Sequence, residues 1–489
     1  MEARDHIILF PFMAQGHLIP FVSLAKLLQR RTNCLVTLLS TPLNVQKFRS
    51  VLPPDAPIQV HSLPFDASDH GLPLGAENTD GLPFPLWVRL FHASRALRPA
   101  FEQFLSDFRR RHGRPPLCVV ADFFLGWTLF AARAMGVYHA VFTTCGAYGT
   151  AAFISLWGNL PHTKTEEEQF HLPGFPESFR LERSQMSLYM RAADGNDEWS
   201  RFFREISPPC FESDALLCNS VAEMEPFGLE VLRGMMKMPV WCIGLTLPPS
   251  SLHRHPSSSF SDNRTGKETG ISITDCVEWL NTHPPSSVLY ISFGSQNTIS
   301  ETQMLKLAEG LESAGHPFIW VVRPPIGHDV NADFREEWLP EGFEERMRER
   351  KQGILVRKWA PQLEILAHES TGAFLSHCGW NSVLESMSQG VPIIAWPLAS
   401  DQFYNSKMME EELGVSLELT RGLVAEITVQ TVVNVTQQVL GKTEKSADMK
   451  KKALVVSDMI RASMVEENGK TGSAINAVDE FMRTARSKH

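Results

Sequence analysis

Short apolar runs alternate with helical segments along the first 150 residues. "HIILFPF" (6–12) is typical of a buried strand, and "FVSLAKLLQR" (21–30) has apolar residues at helical spacing. The glycine and proline of the intervening "MAQGHLIP" predict a loop. "CLVTLLST", "LCVVAD" and "HAVFTT" continue the series as strands. Such alternation predicts a parallel sheet with helices on both faces.

The alternation of predicted strands and helices is interrupted in the middle of the chain and then resumes. The pattern loosens between residues 161 and 209, where residues 164–186 have no clean period and predict loops over a site. "ALLCNSVAEMEP" then restores a strand and a turn. Residues 246–270 are rich in Ser and Pro and poor in apolar residues, which indicates a linker. From "SVLYISFGS" onward strands and helices alternate again, and the chain is helical from about Val429.

This organisation predicts two doubly wound α/β domains that face each other across a cleft. We expect an N-terminal domain at 1–245, a linker at 246–270 and a C-terminal domain at 271–455. A helical tail at 456–489 should pack back on the N-terminal domain. Ligands of open α/β sheets bind beyond the carboxyl ends of the strands, so the cleft is the expected site.

Composition narrows the class of protein. The net charge of -9, with both signs scattered, argues against nucleic acid as the main partner. The chain has no uninterrupted run of about 18 apolar residues, so we expect no membrane span. The N-terminus also lacks the basic region of a signal peptide. The 8 cysteines are dispersed without a CxxC pair, which favours reduced thiols in a cytoplasmic protein.

Several common site motifs are missing. No two glycines are two residues apart, so the chain lacks the GxGxxG fingerprint, which weakens an interpretation as an NAD(P)-dependent oxidoreductase. It also lacks HExxH and an Asp-x-Asp pair. We therefore expect no metal and no other cofactor.

"HCGWNS" (377–382) lies on a predicted strand-to-helix turn, between "GAFLSH" and "NSVLESMSQ". A helix N-terminus there would offer backbone N–H groups to an anion. Two alternatives remain open from the local pattern. Asn381 or Ser382 would simply cap the helix, or Cys378 would act as a nucleophile or zinc ligand.

The wider context resembles a known family. The 44 residues from Trp359 to Gln402 resemble the signature box of the plant secondary-product, family 1 UDP-dependent glycosyltransferases. "PFMAQGHLIP", "VVADFFLGW" and "VLYISFGS" extend the likeness to both halves of the chain. The resemblance implies an α/β fold of GT-B type, with two Rossmann-like domains.

The family also implies an activity, that of an inverting, metal-independent hexosyltransferase. The donor would be a UDP-sugar, and Gln402 at the end of the box usually accompanies UDP-glucose. The acceptor would be a hydroxyl of a small lipophilic metabolite such as a flavonoid or terpenoid, and we expect a monomer. Alternatives are another sugar (xylose, galactose, glucuronate), extension of an already glycosylated acceptor, C-transfer, or a non-catalytic UDP-sugar-binding protein.

The resemblance assigns donor-binding roles within the box and beyond it. Trp359 would stack on uracil with the Ala360 backbone at its edge, and Gln362 and Glu385 would bind the ribose. The groups expected around the diphosphate and the sugar are Ser295, His377, Gly379, Trp380, Asn381, Ser382, Asp401 and Gln402, with Gly16 and Thr144 from the N-terminal domain.

His17 follows the first predicted strand, where active sites of Rossmann-like domains form. In the family a histidine at this position is the general base that takes the acceptor's proton, a role suited to imidazole. Asp122, at the end of "CVVAD", would orient it. The structural alternative for Asp122 is a helix cap.

The acceptor pocket is expected near His17. Apolar residues of the surrounding segments suggest a broad site for an aromatic or terpenoid molecule. The candidates are Phe12, Met13, Phe84, Phe91, Phe124, Leu188, Phe203 and Ser400.

Overall fold

The computed structural model describes residues 4–248, 269–329, 332–467 and 470–488. Most strands belong to two parallel sheets, and two short antiparallel pairs accompany them. In chain order the strands are β1 (His6–Phe10), β2 (Leu35–Ser40), β3 (Ile58–Ser62), β4 (Cys118–Asp122), β5 (Tyr138–Thr143), β6 (Gln169–His171), β7 (Arg180–Glu182), β8 (Ala215–Cys218), β9 (Val240–Cys242), β10 (Val288–Ser292), β11 (Phe318–Val322), β12 (Gly353–Arg357), β13 (Thr371–Ser376), β14 (Ile393–Ala395), β15 (Ser416–Glu418), β16 (Glu466–Glu467) and β17 (Lys470–Thr471).

Helices connect the strands of both sheets. They are α1 (Gln15–Thr32), α2 (Pro42–Val51), α3 (Trp87–Ala93), α4 (Arg98–His112), α5 (Thr128–Ala134), α6 (Ala147–Asn159), α7 (Leu188–Arg191), α8 (Glu198–Phe211), α9 (Pro226–Met235), α10 (Ile273–Leu280), α11 (Glu301–Ala314), α12 (Phe343–Glu349), α13 (Gln362–Ala367), α14 (Trp380–Gln389), α15 (Gln402–Lys407), α16 (Val429–Leu440), α17 (Glu444–Met464) and α18 (Ser473–Ser487).

The two sheets have equivalent topologies. The first has the order β3-β2-β1-β4-β5-β8-β9, and the second has β12-β11-β10-β13-β14-β15. The strand order of each sheet reverses its direction at the first strand of that sheet, so that β1 lies beside β4 and β10 lies beside β13. These junctions are the switch points where open α/β sheets bind ligands. The prediction of two Rossmann-like domains is confirmed.

Both faces of each sheet are covered, which explains the continuous apolar runs in the sequence. In β1, Ile8 and Phe10 belong to one hydrophobic cluster, whereas Ile7 and Leu9 belong to the other. Successive side chains of a strand point to opposite faces, so a strand buried on both sides must be apolar throughout.

The C-terminal helices join the two domains. α17 runs without a break across the boundary that we predicted between residues 455 and 456, because Val456 and Ile460 continue its buried face. That boundary was wrong. The crossing to the first domain follows Met464, and α18 then packs Val478 and Phe481 against the first sheet.

Most of the predicted linker lies outside the described residues. Its described ends form hydrogen bonds with the two domains, one end with each. Thr246 donates from its backbone N and hydroxyl to Asn219 Oδ1, at 3.0 and 3.1 Å. The Gly270 N–H donates to the carbonyl of Trp359 at 2.7 Å.

Two loop predictions were wrong. α1 begins at Gln15 and continues through Pro20, because the ring of proline fits a helical φ and removes only one donor. Within residues 164–186, which we predicted as loops, β6 and β7 form an antiparallel hairpin. Beyond that stretch, α8 forms behind the cap of Asp197, whose side chain accepts the Ser200 N–H.

No helix in the part of the chain that the structure describes combines the length and apolarity needed to cross a bilayer.

Candidate active site

A cavity of about 680 Å³ lies between the two domains. Asp122 and Thr143, at the ends of β4 and β5, line it from the first sheet. Ser292 at the end of β10 and His377 just after β13 line it from the second. The carboxyl ends of both sheets therefore open onto one space, as the topology predicts.

His17 and Asp122 meet at the first switch point. His17 lies in the first turn of α1, directly beyond β1, and Asp122 is the last residue of the adjacent β4. His17 Nδ1 lies 2.7 Å from Asp122 Oδ2. The Asp122 side chain is 1% exposed, whereas that of His17 is 21% exposed and reaches the cavity. Parallel pairing of β1 with β4 is what brings residues 105 positions apart into contact.

The carboxylate sets the tautomer of the imidazole. A carboxylate only accepts, so in the neutral imidazole this contact places the proton on Nδ1 of His17 and the lone pair on Nε2. The other carboxylate oxygen of Asp122 accepts the N–H of Phe124 at 3.0 Å. Asp122 thus caps the turn at Phe124 and also binds the ring of His17, so the two interpretations of this residue are compatible. Thr144 Oγ1 lies 3.4 Å from His17 Nδ1.

The turn after β13 forms an uncapped helix start. α14 begins at Trp380, its N-cap is Gly379, and no side chain caps it. The alternative in which Asn381 or Ser382 caps the helix is therefore wrong. The first-turn N–H groups have no intrahelical partners, and Gly379, Asn381 and Ser382 of this turn line the cavity wall.

Cys378 is turned away from this chemistry. Its side chain is buried, its Sγ lies 3.5 Å from the carbonyl oxygen of Ser376, and burial raises the pKa of the thiol. A buried neutral thiol is a poor nucleophile. Within the described ranges, no group of three His, Cys, Asp or Glu side chains is arranged to hold a metal ion.

His377 is held as a neutral ring. Burial first, and then the nearby Arg323 cation, lowers the pKa of His377 to about 4. The ring packs between Gly294 and Gly379, where an added Cβ would come within 2.5 and 2.4 Å of Nε2. Gly294 also has a φ of +77°. Both glycines are therefore required for the imidazole to lie at the cavity wall.

A polar network surrounds the first two turns of α14. Gln362 accepts from the Tyr290 hydroxyl at 3.0 Å and donates to Glu385 Oε2 at 2.5 Å and to Ser382 Oγ at 3.2 Å. The guanidinium of Arg323 lies over the Trp359 ring, 5.6 Å from its centroid.

Two contacts join α14 to the first domain. The Trp380 indole N–H donates to the carbonyl of Asn219 at 2.7 Å. Asn381 Nδ2 donates to the carbonyl of Gly16 at 3.2 Å. Pro20 has no N–H, so the Gly16 carbonyl lacks its usual helical donor and is available to Asn381. Pro20 in α1 thus leaves an acceptor available for a hydrogen bond between the two domains.

Comparison with known proteins gives the chain its family. The family model described as "UDP-glucoronosyl and UDP-glucosyl transferase" matches residues 268–459. UDP-glycosyltransferase 92A1 of Arabidopsis thaliana is 42% identical over 99% of this chain and 97% of its own length. Crocetin glucosyltransferase 3 of Crocus sativus is 47% identical over 91% and 93%. The crystal structure of Glycyrrhiza uralensis UGT73P12 with glycyrrhetinic acid 3-O-monoglucuronide superposes with a TM-score of 0.83 at 28% identity, covering 99% and 96%.

The chain belongs to the plant family 1 UDP-dependent glycosyltransferases. It is a UDP-glycosyltransferase, as the sequence indicated. The residues that we expected to bind the donor all line this interdomain cavity of the glycosyltransferase: Gly16, Thr144, Ser295, Trp359, Ala360, Gln362, His377, Gly379, Trp380, Asn381, Ser382, Glu385, Asp401 and Gln402.

The other end of the glycosyltransferase's cavity is aromatic. Of the acceptor candidates, Phe84, Phe91, Phe124, Phe203 and Ser400 line the cavity. Phe12, Met13 and Leu188 do not line it. Phe12 and Met13 are fully buried, and the Phe12 ring packs behind the wall, 4.2 Å between centroids from that of Phe91. Leu188 is 47% exposed, because α7 turns it outward.

Sequence reasoning missed part of this wall. Trp199 was not among the candidates, although it lines the cavity four residues before the candidate Phe203 on α8. That i, i+4 aromatic spacing is the signal that could have revealed it. Further aromatic lining residues outside the candidate set are Trp87, Phe123, Phe153 and Tyr189.

Proposed function

We propose that this glycosyltransferase transfers glucose from UDP-glucose to a hydroxyl of a small, lipophilic, aromatic plant metabolite, with inversion at the anomeric carbon. The observation that carries the proposal is the position of His17. It lies in the cavity between the aromatic end and the polar turn of α14, with Asp122 behind it. A base at this junction meets an acceptor hydroxyl and a donor sugar together.

His17 Nε2 would take the proton of the acceptor hydroxyl as that oxygen attacks the anomeric carbon. The attack comes from the side opposite UDP, so the configuration inverts. Asp122 stabilises the imidazolium that forms, which is the role of the buried carboxylate in other His-Asp pairs. The side-chain exposure of 1% at Asp122 strengthens this interaction, because little water competes with it.

The departing diphosphate would be stabilised by groups of the second domain. The N–H groups at the start of α14 act with the positive end of the helix dipole, and the neutral His377 ring can donate a hydrogen bond. Arg323 adds a positive charge to the cavity wall. We propose on this basis that the transfer requires no metal ion and no other cofactor.

Gln402 supports a neutral hexose. Its carbonyl oxygen accepts the N–H groups of Leu398 and Ala399, at 3.0 and 2.8 Å. The amide NH₂ is then the part that can donate to sugar hydroxyls. Asp401 and Glu385 line the same wall and would repel the carboxylate of a glucuronate. The name of the crocus relative, a glucosyltransferase, agrees with glucose. UDP-xylose and UDP-galactose are the competing donors.

We also propose that the enzyme acts as a monomer in the cytoplasm. A single chain supplies both walls of the cavity. The 8 cysteines, all within the described ranges, are free, as in a reducing compartment.

A panel of UDP-sugars crossed with a panel of neutral aromatic and terpenoid acceptors, read by mass spectrometry, tests donor and acceptor together. We expect UDP-glucose to give the most product, with UDP released in equal amount and the product carrying the β-linkage that inversion gives. Product from UDP-glucuronate alone would contradict the donor proposal. UDP binding with no transfer to any acceptor would favour a non-catalytic UDP-sugar-binding protein.

A further inference from the structure

Asn405 lies three residues beyond the signature box, on α15, and its side chain is buried within the second domain. Its amide nitrogen donates to the carbonyl of Cys378 at 3.0 Å and to Asp401 Oδ2 at 2.8 Å. Its amide oxygen lies 3.6 Å from Cys145 Sγ. One side chain thus contacts the turn before α14, the sugar-side carboxylate and the first domain.

The bond to Cys378 acts on a strained position. Cys378 has a φ of +64°, in the left-handed region that side chains other than glycine rarely adopt. Such a conformation persists only when its surroundings hold it. The Cys378 carbonyl belongs to the peptide that joins it to Gly379, so its direction sets the direction of the Gly379 N–H. Asn405 therefore supports the strained backbone from which α14 begins.

The bond to Asp401 orients a second group. Asp401 Oδ2 accepts from Asn405 and also lies 3.1 Å from Cys145 Sγ. Burial raises the pKa of Cys145, so this sulfur carries a proton that it can donate. Both contacts engage Oδ2, so Oδ1 is the oxygen that can accept from a sugar hydroxyl. Asp401 lines the cavity beside Gln402.

We propose that Asn405 is a positioning residue that couples the diphosphate-binding turn to the sugar-binding carboxylate. It contacts neither substrate, and it acts through Cys378 and Asp401. The inference rests on the proposed function, in which α14 binds the diphosphate and Asp401 binds the sugar. It adds a residue outside the signature box to the donor site and explains how phosphate and sugar are held in one geometry.

The Asn405→Leu variant tests this, because leucine keeps the volume and removes both donated bonds. Binding of UDP and of UDP-glucose is measured by calorimetry on the full chain, without acceptor. We expect UDP to bind about 5-fold more weakly, because the turn loses its support. We expect UDP-glucose to lose about 10-fold or more, so the ratio of the two affinities also falls.

The Ser457→Ala variant is the matched control. Ser457 is buried in the same domain and donates to the carbonyl of Ser388 at 2.8 Å, away from the cavity. It should lower the melting temperature and leave both affinities unchanged. If Asn405→Leu behaves in the same way, Asn405 is only structural and the proposal is overturned.

A double-mutant cycle with Asp401→Ala gives the second measurement. If Asn405 acts through Asp401, the two substitutions should be non-additive in UDP-glucose affinity. Additive losses would overturn the coupling. Asn405→Ser replaces Asn405→Leu in both experiments should the leucine variant fail to fold. If the wild type prefers another UDP-sugar in the donor panel, the glucose proposal alone fails, and the affinity ratio is measured with that sugar.

Discussion

The two domains have the same strand order, yet the turns at their switch points present different groups. The first domain places an imidazole and a carboxylate 2.7 Å apart, between β1 and β4. The second places a neutral imidazole and an uncapped helix start after β13. In the proposed function, the first pair accepts a proton and the groups of the second domain donate hydrogen bonds. One fold would thus supply both halves of a group transfer, with residue type at the strand ends deciding which half.

Two buried histidines, one in each domain, differ in their partners. The fully buried His139 of the first domain has Thr128 Oγ1 and Ser213 Oγ 2.9 Å from its two ring nitrogens. In the second domain, His377 Nδ1 is buried and has no hydrogen-bond partner among the described residues. Buried polar atoms without partners are costly. The fold itself satisfies His139, and in the proposed function a ligand would satisfy His377.

The His17→Ala variant gives the strongest test of the difference between the two domains. We expect turnover to fall by about 10²- to 10⁴-fold, because the general base is lost. UDP affinity should be unchanged, because the proposed diphosphate-binding turn belongs to the other domain. Steady-state kinetics and calorimetry measure the two quantities, and His171→Ala, a histidine outside the cavity, is the control. Full activity in His17→Ala would remove His17 from its proposed role.

The next effect concerns stability and pH. Burial lowers the pKa of His139 to about 3, compared with about 6.5 in an unfolded chain. Between about pH 6.5 and pH 3, His139 is therefore protonated in the unfolded chain and neutral in the folded protein. The free energy of unfolding that is present above about pH 6.5 is lost as the pH falls towards 3. The loss between pH 7 and pH 4 should be roughly 3 kcal/mol from this residue.

Urea unfolding of the wild type and of His139→Gln at the two pH values measures this loss. The variant should be less stable at pH 7 and show a weaker pH dependence. His377→Gln should reduce the pH dependence less, because the pKa of His377 is lowered only to about 4. An unchanged slope in His139→Gln would show that His139 does not contribute.

A smaller effect is expected at the bond that joins the domains across the cleft. Asn381→Ala removes the donor to the Gly16 carbonyl and one donor from the diphosphate wall. We expect UDP affinity to fall about 10-fold, equivalent to about 1.4 kcal/mol, with a smaller change in turnover. Asn434→Ala, on the exposed face of α16, is the control. Equal loss in the two variants would argue against a local role for Asn381.

The smallest effect sharpens the map of the acceptor wall. Phe203→Ala removes a ring that lines the cavity, and it should raise KM for an aromatic acceptor several-fold with KM for the donor unchanged. Leu188→Ala, at a residue that we first placed in the pocket, should change neither. Steady-state titration of each substrate separates the two outcomes. A similar rise in both variants would mean that α7 moves onto the acceptor.

The donor side of the site was accessible from sequence, and the acceptor side was only partly so. Trp359 to Gln402 is one continuous stretch, in which a strand, a turn and a helix bring polar groups together locally. The acceptor wall is assembled from α3, α6 and α8, which are distant in sequence. Asn405 was missed because its partners include Cys145, 260 residues away.

The sequence by itself determined the two α/β domains, the strand-end positions of His17 and Asp122, and the strand-to-helix turn at residues 377–382. These follow from hydrophobic period and from residue types that repeat locally. Only the tertiary structure decided which aromatic residues face the cavity. Phe12 and Phe124 are equally apolar, and their rings lie 5.3 Å apart, yet Phe12 fills the core and Phe124 lines the cavity. Hydrophobicity drives both out of water, and the packing of distant helices determines which of them a ligand can reach.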